Sequence, residues 1–394
     1  MNIAIIGMGA RSTAYTHLCL SNIRDDVSVK ALADTNREKL EQYADKYFEK
    51  DKRPELFTDY NKLLEDTTID AVIICTPDTT HREISVAAMK KGKHILLEKP
   101  MATTIEDCVA IHNESIKNDK VLKLGFVLRY TQLYSKIKEI VSGGVLGQVI
   151  SLEAKEMLGR LHAASFFRRW HRFQKNNGGF LNAKCSHDID LLNWIVDAEP
   201  RYVSAFGSRI FFNSREDAGQ RCGECNVKDT CEYIDNRDHG FLFPGEQDLC
   251  VFNVDKDIVD HEVLNIEYTN KVTASFTVSM LSADANRTMV IFGSKGTLYA
   301  DLSKNEIIVK TNYTESEIVY QFKKDVDSGH GGGDSNIYKS FIDSIRLDNN
   351  QEKNEAKAGL MSSAVILAGE LCMKEKTIID VQKLILDNLK NNPF

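Results

Sequence analysis

Gly7-Met8-Gly9 stands between the apolar run Ile3-Ala4-Ile5-Ile6 and a helical stretch from about Ala10 to Ser21. These types and spacing suit a pyrophosphate. Gly7 permits a tight turn, and Gly9 lets backbone N–H groups approach phosphate oxygens. The helix that follows aims its positive end at them. Ser12 takes the place of a third glycine and still allows close helix–strand packing. A second apolar run, Val27 to Ala33, ends in Asp34, a little beyond the usual offset of about 20 residues. A carboxylate there accepts the ribose hydroxyls and repels a 2′-phosphate, so the pattern predicts NAD rather than NADP. Arg37 is the nearby cation that opposes this preference.

Five further groups of residues could carry chemistry. Lys99 follows His94-Ile95-Leu96-Leu97 and Glu98 directly, a charge at the end of a buried strand, with Pro100 fitting a rigid and even cis linkage. His187 is read at the start of a helix running from Asp188 to about Val196, with Ser186 as N-cap. At that end the dipole disfavours imidazolium, which leaves a ring able to accept a proton, and Asp190 follows one turn on. Cys222, Cys225 and Cys231 form C-x₂-C-x₅-C in a polar segment, a spacing that grips a metal ion. Cys185 is the chosen fourth ligand, with His239 and Cys250 as competitors. Zinc is the expected ion, with an iron–sulfur cluster, free thiols and a disulfide as rivals. Arg169 and Trp170, in the stretch Arg168-Arg169-Trp170-His171-Arg172, suit either a solvated loop or a substrate loop, the latter with the indole under a sugar face and an arginine on an anion. His330, in Gly329-His330-Gly331-Gly332-Gly333-Asp334, suits a lid closing on substrate, with a bare linker as the alternative.

These residues need elements to position them. Up to about Gly125 strands and helices alternate: Ala71 to Cys75, His81 to Lys91, His94 to Leu97, Ile105 to Asn118 and Val121 to Gly125. That alternation predicts a doubly wound parallel sheet with ligands at the carboxyl ends of its strands. Beyond it, Val263–Tyr268, Thr273–Val278 and Thr288–Phe292 alternate as antiparallel strands do, and residues 356–374 read as a helix. The prediction is an α/β domain over residues 1–125 and an α+β domain with a mostly antiparallel sheet over 126–394. The second carries a cysteine-rich insertion at about 212–250.

Taken in order, Gly7-Met8-Gly9, Thr76-Pro77-Asp78 with His81, Glu98-Lys99-Pro100, Arg129-Tyr130, Gly178-Gly179, Ser186-His187-Asp188-Ile189-Asp190 and Gly293-Ser294-Lys295-Gly296-Thr297 resemble the glucose–fructose oxidoreductase/inositol dehydrogenase (Gfo/Idh/MocA) family. The matches cover nearly the whole chain. The resemblance implies a Rossmann domain and an NAD(P)-dependent enzyme that oxidises a secondary alcohol of a sugar, glycoside or cyclitol. It implies cofactor contacts at Gly7, Gly9, Ala10, Arg11, Asp34, Thr76, Pro77, His81, Glu98 and Lys99. Lys99 would orient the hydroxyl, His187 would act as general base, and Arg129 and Asp190 would touch substrate. One departure stands out. The family usually has a carboxylate four residues before the histidine, and here that position is Ala183, between Asn182 and Lys184. A redox-neutral NAD-dependent glycosidase, working by transient oxidation and elimination, is the alternative activity. A nucleotide-sensing regulator is a third.

At 394 residues the chain is long enough for two cores, and 42% hydrophobic with 27% charged residues is ordinary for a soluble protein. A net charge of −7 opposes a nucleic-acid partner. No apolar run is read as reaching the roughly 18 residues of a membrane span, and the first strand leaves no room for a signal peptide. The expected setting is the cytoplasm, with the nine cysteines as thiols or metal ligands. The expected partners are a small-molecule sugar or glycoside and further copies of the chain, as a dimer or tetramer, with no membrane.

Overall fold

The computed structural model describes residues 1–21, 26–235, 248–314, 316–323, 329–347 and 354–391. The chain divides into two compact units. The first comprises Met1–Thr131 with Asp325–Ser363 and Asn388–Phe394, and the second comprises Gln132–Lys324 with Ala364–Asp387.

The first unit is built on six strands: β1 (Asn2–Ile6), β2 (Ser28–Ala33), β3 (Glu55–Phe57), β4 (Ala71–Ile74), β5 (His94–Leu97) and β6 (Leu122–Leu124). They lie in the order β3-β2-β1-β4-β5-β6, and every pairing is parallel. Strands covered on both faces read as unbroken apolar runs, and Ile3, Ala4, Ile5, Val72, Ile73, Leu96 and Leu97 are fully buried. Helices Ala10–Leu20, Arg37–Tyr47, Tyr60–Leu64, His81–Lys90 and Ile105–Lys117 supply the crossovers. Two of them start where a side chain satisfies an orphan amide: Asn36 accepts from the Lys39 N–H and Thr104 from the Asp107 N–H. Residues 325–363, read from sequence pattern as part of the second domain, belong to this unit, and the Gly333–Arg346 helix packs on the Ala10–Leu20 helix. Local periodicity cannot register a contact between segments so far apart in the chain.

The second unit is built on nine strands: β7 (Val149–Met157), β8 (Pro200–Ser208), β9 (His261–Tyr268), β10 (Thr273–Ser279), β11 (Asn286–Gly293), β12 (Gly296–Asp301), β13 (Glu306–Thr311), β14 (Glu317–Gln321) and β15 (Ile379–Asp380). Their order is β14-β13-β12-β11-β7-β10-β9-β8-β15. Seven pairings are antiparallel, and β10 with β7 is parallel. The Phe180–Val196 helix covers one face, packing on β7 and β10. Strand alternation then leaves Tyr202, Phe206, Val263 and Tyr299 exposed.

Among the described residues one helix, Ala356–Glu375, is long and apolar enough to cross a membrane by length and composition alone, and 61% of its apolar window is buried within the protein. Its small and branched residues, among them Ala364, Val365, Ile366 and Ala368, are core residues at 0% exposure.

Candidate active site

Because all six strands of the first unit run parallel, their carboxyl ends share one edge. β1 delivers Gly7 to that edge, β4 delivers Thr76 and Pro77, and β5 delivers Glu98 and Lys99. Gly7 has φ +91°, and a Cβ there would lie 2.7 Å from the Cys75 carbonyl carbon, so only glycine fits the turn. Its N–H donates to the Ala33 oxygen at 2.7 Å. Gly9 caps the Ala10–Leu20 helix, and no side chain bonds the first amides, which suits an anionic ligand. Ser12 is fully buried and donates to the Gly9 oxygen at 2.7 Å, as close helix packing requires.

Asp34 lies beside this turn: its Oδ2 accepts the Met8 N–H at 2.8 Å and its Oδ1 the Asn36 N–H at 3.0 Å. Arg37 is engaged elsewhere, in an ion pair with Glu41 and a 3.4 Å bond to the Leu56 oxygen. Lys39, which the sequence reading passed over, is the cation near Asp34, at 3.7 Å.

Arg11 is tied rather than offered. Its Nε donates to Glu98 Oε1 at 2.8 Å and its Nη2 to Asp334 Oδ1 at 2.7 Å, with both carboxylates 5% exposed. Tyr15 donates to the same Glu98 oxygen at 2.9 Å, and His330 Nδ1 lies 3.0 Å from Asp334 Oδ2. Burial disfavours both charges, but the pairing outweighs it. The Arg11 pKa is held above its ordinary value, and the His330 and Arg11 contacts hold Asp334 well below the usual carboxylate range. His330 is therefore an exposed ring, at φ +50°, anchored to this network.

His81 is fully buried, with Nδ1 2.8 Å from the Pro100 oxygen and Nε2 3.1 Å from the Thr76 oxygen. Burial pushes its pKa down. Both ring nitrogens thus face backbone carbonyls, and the ring ties the turn after β4 to the segment after β5. Pro77 opens a short 3₁₀ turn, and Thr80 donates to the Thr76 hydroxyl at 2.8 Å. Lys99 is half-buried, and the Lys99–Pro100 peptide is cis.

Asp78 is a neighbour of Lys99 that sequence reasoning left without a role. It is 8% exposed, and burial pushes its carboxyl up to about 8, against the Lys99 charge and with help from Glu98. A carboxyl raised in the folded state binds more protons there than in the unfolded chain. Its contribution to stability is complete below about pH 4 and lost as pH rises toward 8. Asp78→Asn is therefore expected to flatten this part of the pH–stability curve. Urea midpoints of both proteins across pH 4–9 measure it, and parallel curves would contradict the assignment.

Arg129 lies on the Val127–Tyr130 turn with its guanidinium over the Phe126 ring at 5.7 Å. A second unforeseen carboxylate, Glu355, holds this region. Its Oε2 accepts the Leu124 N–H at 2.9 Å, and its Oε1 accepts the Tyr130 hydroxyl at 3.1 Å and lies 3.5 Å from the buried Lys123 ammonium.

In the second unit one helix, Phe180–Val196, carries Ala183, Cys185, His187 and Asp190. It starts seven residues before His187, which corrects the expected start at Asp188 with Ser186 as its cap. The true boundary is Gly178-Gly179, with φ +75° and +108°. A side chain at Gly179 would overlap the Glu370 carboxylate. Ser186 is not a cap: its hydroxyl donates back to the Asn182 oxygen at 2.7 Å. His187 is thus in mid-helix, 6% exposed, and the helix dipole gives no argument about its charge. Asp190 is 1% exposed on the same helix.

Neither neighbour of Ala183 is spare to stand in for the missing carboxylate. Asn182 donates to the Asn177 oxygen at 2.7 Å, and Lys184 pairs with Glu156 Oε1 of β7 at 2.8 Å. Arg287 of β11 then spans Glu156 at 2.5 Å and Asp188 at 2.8 Å. Glu156, a carboxylate brought in from a strand, gave no local signal in the sequence. Trp170 is half-buried, with its ring stacked on His171 at 3.8 Å between centroids, and Arg169 is half-buried beside it.

The expected ligand set is corrected. Among the described residues no three or more histidine, cysteine, aspartate and glutamate side chains stand in metal-holding geometry. Cys185 is fully buried in the helix, where burial and the nearby Asp188 push its thiol pKa well up. Cys222, Cys225 and Cys231 line a small cavity whose fourth cysteine is Cys250, not Cys185. His239 lies outside the described residues.

The family assignment rests on two profile matches. Residues 1–126 match the oxidoreductase family, NAD-binding Rossmann fold, of the Gfo/Idh/MocA group, and residues 138–381 match its C-terminal alpha/beta domain. The chain belongs to the Gfo/Idh/MocA oxidoreductases. YteT of Bacillus subtilis, provisionally named an oxidoreductase, is 24% identical over 92% of this chain and 94% of its own. The myo-inositol 2-dehydrogenase of Thermotoga maritima is 28% identical over 53% of this chain, and the match spans 58% of that enzyme's length. A levoglucosan dehydrogenase solved with NADH superposes with a TM-score of 0.77 over 97% of this chain and 99% of its own, at 20% identity. At that identity the likeness establishes the fold. As a member of this family, the chain has the two-domain architecture expected for it, and its first domain is the NAD-binding one.

Proposed function

We propose that the protein is an NAD-dependent dehydrogenase acting on a secondary alcohol of a sugar, glycoside or cyclitol. The observation that carries this reading is the delivery of Gly7, Thr76 and Lys99 to one edge of the sheet by the adjacent parallel strands β1, β4 and β5. The Gly7–Gly9 turn would hold the pyrophosphate and Asp34 the ribose. Bound NAD supplies the hydride acceptor. Lys99 orients the reacting hydroxyl and stabilises the charge that develops on its oxygen. His187 takes the hydroxyl proton as general base. Arg129, Arg169, Trp170, Asp190 and His330 are the side chains assigned to substrate. Glu98 and His81 serve the cofactor end by holding Arg11 and the Thr76 turn. The reading includes a cytoplasmic setting and an oligomer of this chain.

The test is turnover with NAD⁺ against inositols, free sugars, anhydrosugars and glycosides, following NADH and product together. Accumulating NADH with a matching ketone supports the reading. Glycone release without NADH would replace it with redox-neutral cleavage.

Cofactor choice gives a separate expectation. NAD(H) should bind more tightly than NADP(H), because Asp34 opposes a 2′-phosphate while Arg37 is held by Glu41. Asp34→Ala should narrow the gap by about tenfold, the effect of roughly 1.4 kcal/mol of repulsion, with Lys39 then available to the phosphate. Fluorescence titration with both cofactors decides it, and tighter NADP(H) binding by the unsubstituted protein would overturn the preference.

A further inference from the structure

The cysteines of the insertion are brought together by an unusual piece of backbone. Arg221 and Leu249 form an antiparallel bridge. The Cys222 N–H donates to the Asp248 oxygen at 2.7 Å and the Cys250 N–H to the Gln220 oxygen at 3.0 Å. Side chains alternate along such a bridge, so Cys222 and Cys250 lie on the same face of it. Cys225 returns toward Cys222 through a turn closed by its N–H on the Cys222 oxygen at 3.2 Å, and its sulfur accepts the Gly219 N–H at 3.3 Å. Two more turns, Lys228 N–H to the Cys225 oxygen and Cys231 N–H to the Lys228 oxygen, bring the third cysteine of the segment round. All four thiols line one cavity of about 20 Å³.

We propose that Cys222, Cys225, Cys231 and Cys250 bind a single zinc ion. The cavity is about the size of one water-sized sphere, enough for an ion and too small for an iron–sulfur core. Four thiolates around Zn²⁺ carry a net charge of −2, and Arg215 and Lys228 line the same cavity as counter-charges. Ala218, Val227, Ile234 and Phe252 supply the apolar part of its wall. The thiols surround the cavity without yet standing at ligand distance. Loading therefore turns the side chains inward and releases four protons to solvent as four Zn–S bonds form. The ion would staple the two stretches of the insertion. Arg168, 3% exposed, already fastens that insertion to the preceding helix through the Leu249 and Tyr233 oxygens.

The experiment is metal analysis of the full chain purified without oxygen and repleted with zinc. The expected result is about one equivalent of zinc, with a strong chelator releasing it and exposing four more thiols to a thiol reagent. That chelator measurement needs no variant and stands even where a substitution prevents folding. Cys250→Ser should lower zinc content sharply, and Cys185→Ala should leave it unchanged. Zinc below about half an equivalent, iron with labile sulfide in its place, or full zinc in Cys250→Ser would each overturn the proposal.

Discussion

Lys99→Ala and His187→Ala should each lower turnover by about 10²-fold or more, the usual contribution of a positioned acid–base group, while leaving NAD binding close to normal. The two expectations rest on different surroundings. Lys99 is half-buried at the carboxyl end of β5, next to Glu98 and Asp78, whereas the Gly7 turn is held by the Ala33 oxygen and Asp34 by the Met8 and Asn36 N–H groups. Its removal should therefore spare the nucleotide end of the site and strike the chemical step. Lys99→Arg should recover only part of the loss, because a planar guanidinium cannot present the same point charge to an oxygen. His187 stands within a helix whose neighbours are buried on every side, so His187→Ala opens a small void as well as removing a base. For that variant the informative measurement is the split between kcat and KM in protein shown to be folded by its unfolding midpoint. A fall in kcat at unchanged cofactor affinity supports the general-base role. Near-normal turnover in either variant would remove that residue from the mechanism.

The parts of this molecule that the sequence made legible are those whose physics is local. The turn at Gly7 is fixed by a strand, two glycines and a helix within a dozen residues, and Asp34 by the end of the next strand. Glu98-Lys99-Pro100 is read from its place after a buried run. Errors arose where the deciding contact is distant or where two local signals compete. Ser186-His187-Asp188 resembles a capped helix start, yet nothing in Phe180 to Cys185 breaks a helix, and the Gly178-Gly179 pair with positive φ is the stronger boundary. The tie of Arg11, an expected cofactor contact, to Glu98 and Asp334 has no local signal either, because those partners lie far along the chain. Cys185 was favoured over Cys250 because it neighbours His187 in sequence, whereas a bridge between Arg221 and Leu249 decides which thiols meet. Glu355 and Glu156 were invisible for the same reason: a lone glutamate carries no pattern, and each acts only through residues from other elements.

Replacing Arg287 should have the largest effect on stability. Its guanidinium is the cation that Glu156 and Asp188 share, at 2.5 and 2.8 Å, and both carboxylates are 5% exposed. Burial disfavours the Arg287 charge, but those two carboxylates outweigh it and hold its pKa above the ordinary value. Glu156 keeps a second partner in Lys184, at 2.8 Å. Among the described residues no second cation pairs with Asp188, and its Oδ2 has no hydrogen-bond partner. Arg287→Met therefore leaves a buried carboxylate uncompensated, a change that costs about 3–5 kcal/mol. The loss should depend on pH in a defined direction. Burial and the neighbouring Asp188 charge already hold the Glu156 pKa above its ordinary value, and losing Arg287 removes one of the two cations that oppose them, so folding of the variant takes up a proton. Stability of the variant is then best at acid pH and falls as pH rises, and the gap from the unsubstituted protein widens with it. Removing the second charge should recover part of the loss: Arg287→Met with Asp188→Asn should be more stable at neutral pH than Arg287→Met alone. Urea unfolding of the four proteins of this cycle at two pH values measures each term. A loss under about 1 kcal/mol, or no recovery in the double variant, would show that the network around Asp188 is held by groups other than Arg287. Because Asp188 follows His187 directly, the same cycle reports whether the turn of helix that carries the proposed base is fixed by this charge.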